Sequence, residues 1–306
     1  MFGSQRINIV NDQEEILRPL IDVLSAATGT PLTKAHLQPL AIGNPVSSCV
    51  LECAERKFFI KTTPRGEFNR LEGEALGLNA LSATNTVKVP ALISIGTTDT
   101  TAYLALEYLD LRPKTKASAA ALGESLARLH RNSAPEFGWG SDNHIGGSPQ
   151  RNTWCGEWIE FWRDARLGAL LPRAAGSLGS ALTRQVESIL ERCDTLLNHH
   201  QPPPSLLHGD LWGGNWGVDP EGRPVVFDPA AYFGDREADI AMTGLFGGFR
   251  QDFYAAYRSV WPLDPGFEDR KDLYNLYHLL NHVALFGPGY LELTQATVNR
   301  ILGKIG

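Results

Sequence analysis

The stretch "LLHGDLWGGNWGVDPEGRPVVFDP", residues 206–229, gathers His208, Asp210, Asn215, Asp219 and Asp228 around a glycine-rich turn between two apolar runs. The bland reading is a decorated β-hairpin, with "NWGV" and "PVVFD" as short strands turned by "DPEGR". An aspartate in such a turn is more often a backbone cap than a catalyst. Order and spacing argue for more. Asn215 follows Asp210 by five positions and Asp228 follows Asn215 by thirteen. Kinases show that order: a catalytic-loop carboxylate, an amide ligand, then a metal-binding carboxylate. Phosphoryl transfer needs a carboxylate to orient the attacking hydroxyl and accept its proton. It also needs hard oxygen ligands to hold Mg2+ against phosphates. Asp210 is therefore the candidate base, and Asn215 and Asp228 are the candidate metal ligands. Asp219 reads as a turn residue, and His208 as a buttress of the loop.

The surroundings suit a two-lobed chain. From about residue 115, "KASAAALGESLARLH", "NTWCGEWIEFWRDARLGALL" and "SALTRQVESILERCDTLLNHH" have helical periodicity, the second with Asn152 or Thr153 as its cap. "ADIAMTGLFG", "RQDFYAAYRSVW", "DLYNLYHLLNHVALF" and "LTQATVNRILG" close the chain as helices. Upstream, "LQPLAIGN", "SSCVLECAE" and "RKFFIKTT" read as an antiparallel meander. One helix follows, with Phe68, Leu71, Ala75, Leu78 and Leu81 at helical spacing, and then two strands in "KVPALISIGTTDTTAYLALEYL". The expected fold class is α+β and bilobal. A small β lobe with one helix covers 1–106, a hinge lies near 107–111, and a larger helical lobe covers 107–306. A cleft between two such lobes suits a ligand.

Composition narrows the class. Hydrophobic content of 43% and charged content of 20% describe an ordinary globular protein, and a net charge of −6 with no basic stripe argues against nucleic acid. "MFGSQRINIVNDQEE" lacks a basic segment followed by an apolar core, so no signal peptide is expected. No run reaches membrane-spanning length. Cys49, Cys53, Cys155 and Cys193 lack paired metal spacing, and reduced thiols in a cytoplasmic protein are expected.

The first lobe offers an independent check. A kinase needs a strand lysine for the phosphates and a helix glutamate to place it. Lys61 ends the apolar strand "KFFIKTT", where a surface lysine is the ordinary alternative, and Glu67, Glu72 and Glu74 all border the helix's apolar face. "AIGNPVSSCV" could cover phosphates with backbone N–H groups. Other features read as bland. His278 and His282 lie four apart on a helix without the metalloprotease glutamate. Cys49 reads as a buried strand thiol, and Trp158 as packing. Asp235 and Asp239 pin the segment after Asp228 to the catalytic loop, and Arg236 is a weak candidate for phosphate.

"HGDLWGGN" followed by "FDPA" and "GDREADIAM" resembles the fructosamine kinase (ketosamine kinase) family, within the aminoglycoside phosphotransferase and protein-kinase-like superfamily. "FGWGSDNHIGGSPQRNTWCGEWIEFWRDARL" resembles the family's second signature, and "FFIK", "LEGEALGL" and "LALEYL" its nucleotide lobe. The resemblance implies a bilobal protein-kinase-like fold and ATP with Mg2+ as cofactors. It makes Asp210 the base, Asn215 and Asp228 the metal ligands, Lys61 the phosphate lysine and Glu74 its partner. Glu107 to Leu109 become the hinge that binds adenine through backbone groups. The phosphate loop departs from the pattern: Gly43, Asn44 and Pro45 replace a glycine pair, and Pro45 lacks an N–H.

Such kinases phosphorylate a ketosamine hydroxyl, typically O3, and the product decomposes to release the amine, a repair of glycation. The implied partner is a small-molecule or protein-bound ketosamine. Trp212 is a candidate to stack on the sugar, against a reading as a packed loop tryptophan, and Asp142 and Asn143 are candidates to line the acceptor site, against loop capping. Two alternatives stand beside this reading: a choline- or aminoglycoside-type kinase, and a nucleotide-binding pseudokinase.

Overall fold

Alternation in "KFFIKTT" gives one strand two unlike faces, and the first unit is built on that difference. The structure, a computed structural model, describes residues 9–41, 46–54 and 56–306. In chain order the first elements are α1 (Ile9–Thr28), β1 (His36–Ala41), β2 (Ser47–Glu52), β3 (Lys57–Pro64), α2 (Phe68–Ala83), β4 (Leu92–Thr97) and β5 (Thr101–Glu107). The strands form one antiparallel sheet in the order β1-β2-β3-β5-β4. Phe58 and Ile60, two apart on β3, are buried in a cluster with Leu51, Tyr103, Leu20 and Leu24. Lys61 belongs to the opposite face by the same alternation.

The expected single helix of this region is corrected to two. Leu20 and Leu24, one helical turn apart on α1, have no exposed surface and close the sheet's apolar face. Pro19 inside α1 hides this helix from propensity, because proline removes a backbone donor. The spacing of Ile16, Leu20 and Leu24 was the signal available.

Two compact units result. One comprises residues up to Leu76 together with Pro90–Asp110; the other comprises Gly77–Val89 and Leu111–Gly306. The second unit contains α3 (Lys116–Leu129), the hairpin β6 (Asn143–Ile145) and β7 (Ser148–Gln150), and α4 (Trp158–Glu160). A π-helical segment, Phe161–Leu167, joins α4 to α5 (Gly168–Arg192), and α6 (Asp194–Leu197) follows. Then come β8 (Ser205–Leu207), β9 (Trp216–Val218), β10 (Pro224–Val226) and β11 (Tyr232–Gly234). Helices α7 (Arg236–Leu245), α8 (Gln251–Val260), α9 (Phe267–Phe286) and α10 (Leu291–Ile305) complete the chain.

Here too one expectation is corrected. The helix predicted from an Asn152 or Thr153 cap begins at Trp158. The Asn152 side chain donates instead to Ser141 O and Asn143 Oδ1, and Cys155 bridges to Phe137. With its amide drawn into those bonds, Asn152 caps no helix. Thr115 does cap α3, accepting the N–H of Ser118 at 3.1 Å. Strands β8 and β11 pair antiparallel, as do β9 and β10, and each of these short strands is largely buried. Among the described residues no helix is long and apolar enough to cross a membrane.

Candidate active site

The glycine-rich turn closes on itself through backbone bonds. Trp212 N donates to Asp210 O at 3.2 Å, and Asn215 N donates to Trp212 O at 3.0 Å. The Asn215 amide reaches back, Nδ2 donating to Asp210 O at 2.9 Å and to the Asp210 carboxylate at 3.4 Å. Phe227 N donates to Asn215 O at 3.1 Å. The pairing of β9 with β10 thus returns the chain so that Asp228 follows directly on a residue bonded to Asn215.

His208 couples the two acidic ends. Its Nε2 lies 3.0 Å from Phe227 O and its Nδ1 3.3 Å from Asp210 N, so the tautomer carrying the proton on Nε2 satisfies both. Burial pushes the imidazole below its ordinary pKa, keeping it neutral in this bridging role. Gly209 holds φ at +82°, and a Cβ there would lie 2.0 Å from Ala230 O. No side chain fits. Asp239 of α7 accepts from His208 N at 2.8 Å and Gly209 N at 2.9 Å, and His130 Nε2 lies 3.2 Å from its carboxylate. Burial alone would raise the Asp239 pKa. The contacts to His130, His208 and the Gly209 N–H outweigh it and hold the carboxyl below its usual value.

The donor set of this loop fits a hard divalent cation. Asn215 directs its amide nitrogen at Asp210, and its Oδ1 accepts no hydrogen bond among the described residues. Asp228 supplies a carboxylate from a left-handed backbone at φ +58°, uncommon outside glycine. Asp219 stands apart, buried in a turn with Lys88 at 2.9 Å and Arg223 at 2.8 Å. Burial opposes its charge, but those two cations hold its pKa far below the carboxylate range. Asp219 fastens the β9–β10 turn.

In the first unit Lys61 and Glu74 pair at 2.8 Å with side chains only 11% and 13% exposed. Glu67 bonds Arg70, so it is engaged one turn away. Glu107 ends β5, its N–H given to Ala91 O at 2.9 Å and its carboxylate accepting Ala91 N at 3.2 Å. The Glu107 N–H is thus taken up by Ala91, and Leu109 beyond it is half-buried. Gly43, Asn44 and Pro45 lie outside the described residues.

Trp212 is 42% exposed and packs over Gly214, where a Cβ would meet the indole at 2.3 Å. Asp142 is exposed and accepts Asn152 N at 2.8 Å, as a loop cap does. Asn143 is buried; its Nδ2 donates to Ala231 O, and its Oδ1 accepts from Gln150 and Asn152, which ties its amide into the protein's own bonds. Arg236, the weak candidate for phosphate, is buried over the Trp261 ring at 4.1 Å and donates to Trp261 O and Pro262 O. Asp235 caps α7 and accepts Tyr274 Oη, while Trp158 Nε1 donates to the same tyrosine.

Sequence reading missed Lys114, whose Nζ donates to Gly213 O at 2.6 Å and lies 4.4 Å over the Trp216 ring, fastening the turn from outside. It also missed Gln150 and Arg166; nothing in their local pattern marked them. Burial pushes the Cys49 thiol up to about 11, which suits an inert strand cysteine. Burial likewise depresses His278 to about 3, and His282 Nδ1 bonds His278 O. Among the described residues only His200, Asp235 and Glu237 cluster with metal-like spacing, and Glu237 is already bound by both arms of Arg270.

A sequence model of the fructosamine kinases matches residues 17–304. The chain belongs to the fructosamine kinase family. A relative from Synechocystis sp. (strain ATCC 27184 / PCC 6803 / Kazusa), named a probable ketoamine kinase, is 40% identical over 91% of this chain and 94% of its own length. A chloroplastic protein-ribulosamine 3-kinase of Arabidopsis thaliana is 37% identical over 92% of this chain and 86% of its own. A crystal structure from Haemophilus somnus 129PT, assigned as a fructosamine-3-kinase, superposes with a TM-score of 0.87 at 30% identity, covering 96% of this chain and 100% of that one. The fold alone extends to an aminoglycoside phosphotransferase at TM-score 0.62 and 14% identity, over 94% of this chain and 97% of that one. As a fructosamine kinase family member the chain is an ATP-dependent phosphotransferase.

Proposed function

We propose that this fructosamine kinase family member phosphorylates a sugar hydroxyl, O3, of ketosamines such as fructosamines or ribulosamines, in the cytoplasm and as a step in deglycation. The observation that carries the reading is the bonding of Asn215 to Asp210 across the Trp212 turn, which holds the two side chains next to each other, as a base beside a metal ligand would require. The names of the curated relatives supply the acceptor class.

Asp210 orients the acceptor hydroxyl and takes its proton as the oxygen attacks the γ-phosphorus. The new O–P bond forms as the β–γ bridging P–O bond breaks, and ADP leaves. Asn215 and Asp228 would hold Mg2+, which when bound supplies charge neutralisation at the phosphates. Lys61, held by Glu74, contributes the protein's own cation to the phosphates, and the 107–111 segment offers backbone groups to adenine. Trp212 presents an aromatic face to the C–H surface of the sugar.

The test is Asp210→Asn assayed with fructoselysine and ribuloselysine by ATP consumption. Loss of turnover with nucleotide binding retained is expected. Full activity of the variant would remove Asp210 from its role. A preference of the wild type for choline or an aminoglycoside would overturn the acceptor class, and tight nucleotide binding without turnover would point to a pseudokinase.

A further inference from the structure

Arg166 is fully buried, yet no carboxylate pairs with it among the described residues. Its guanidinium lies 3.9 Å over the Tyr232 ring and 4.5 Å over Phe161. Nη1 donates to Arg151 O, and Nη2 donates to Asn152 Oδ1 at 2.9 Å. Asn152 Nδ2 donates to Asn143 Oδ1 at 2.9 Å, and that oxygen also accepts from Gln150 Nε2 at 2.9 Å. The chain of bonds ends on two adjacent carbonyls: Gln150 Nε2 donates to Ala230 O at 3.0 Å and Asn143 Nδ2 to Ala231 O at 2.9 Å. Tyr277 Oη fixes Gln150 from behind, donating to Oε1 at 2.8 Å.

Burying a cation and three amides carries a desolvation cost that an apolar filling would avoid. Directional bonds achieve what apolar contacts do not: they set where two specific carbonyls point. Those carbonyls follow Asp228, which holds its left-handed backbone two residues earlier. Ala230 also donates its N–H to His208 O at 2.9 Å, and its carbonyl is the atom that excludes a side chain at Gly209. The orientation of this one peptide therefore bears on both acidic loops.

We propose that Asn143, Gln150, Asn152 and Arg166 are positioning residues that fix the backbone of 228–231 so that Asp228 is presented for metal, and that they govern affinity for the metal–nucleotide complex. This rests on the metal-ligand reading of Asp228 given above.

The test uses the full-length chain with Mn2+ and ADP as probes, bound Mn2+ being read by electron paramagnetic resonance and metal-free ADP binding by calorimetry. Gln150→Met keeps side-chain length without hydrogen bonds, and Tyr277→Phe removes a single hydroxyl. Gln150→Met is expected to weaken Mn·ADP binding about tenfold, as the loss of an orienting partner behind a metal ligand does. Tyr277→Phe is expected to weaken it about threefold. Metal-free ADP binding and KM for the acceptor stay at wild-type values. Variants that lose only thermal stability while binding Mn·ADP normally overturn the inference. Should Gln150→Met fail to fold, Tyr277→Phe decides alone. A wild type that binds ADP no better with Mn2+ than without overturns the metal reading itself. A wild-type gain with Mn2+ but no ketosamine turnover overturns only the acceptor.

Discussion

The Asp239 carboxylate accepts the backbone N–H of Gly209 at 2.9 Å, so a residue on α7 holds the turn that presents Asp210. Asp239→Asn would put an N–H2 group against backbone donors and loosen His130. A loss of about 3 kcal/mol in urea unfolding is expected, as when one partner of a buried pair is removed. Turnover should fall about 100-fold from misplacement of Asp210. The folded pKa of Asp239 lies below its unfolded value, so its stabilisation is present above about pH 4 and is lost as pH falls through the lower folded value. Denaturation curves across that range should show wild type losing stability on acidification, with a flatter limb in Asp239→Asn.

Gly209→Ala tests the same loop sterically. With φ at +82° and Ala230 O where its Cβ must go, the variant cannot keep the turn. Thermal unfolding should shift down by the equivalent of about 2 kcal/mol, the range for a strained backbone. kcat should fall far more than KM for ATP. A variant with wild-type kcat would mean the loop tolerates another path.

Glu74→Gln keeps the shape of the Lys61 partner and removes its charge. A charge-assisted bond is worth about 1.5–3 kcal/mol, so KM for ATP should rise at least about tenfold. Acceptor KM should not change. Steady-state titration of ATP at saturating ketosamine separates the two.

Trp212 is tested by comparing Trp212→Ala with Trp212→Phe. Loss of an aromatic face worth about 1 kcal/mol should raise acceptor KM about fivefold in the alanine variant, and phenylalanine should restore most of it. Equal KM in both with reduced stability would make Trp212 a packing residue over Gly214.

The arrangement of the candidate site was legible because its information is local. Asp210, Asn215 and Asp228 are joined by one tight turn and one hairpin, so sequence spacing nearly equals spatial order. Lys61 and Glu74 were legible for a similar reason, since strand alternation and helix periodicity decide which face each residue takes. The α1 helix was missed where Pro19 masked a spacing that Leu20 and Leu24 still carried.

By itself, the sequence determined the hairpin that carries the acidic residues, the lysine strand and the class of chemistry. Only the tertiary structure decided which polar residues face inward. Asn143 read as an acceptor contact or a loop cap, and its amide donates to Ala231 O, 88 positions away; Arg236, a weak candidate for phosphate, is buried against Trp261. A side chain's hydrogen-bond partners across such distances follow from how the elements pack, and no local pattern encodes that. Glycine at 209 was readable as a turn residue. That it answers to Ala230 O and Asp239 became visible only once the chain had folded back on itself.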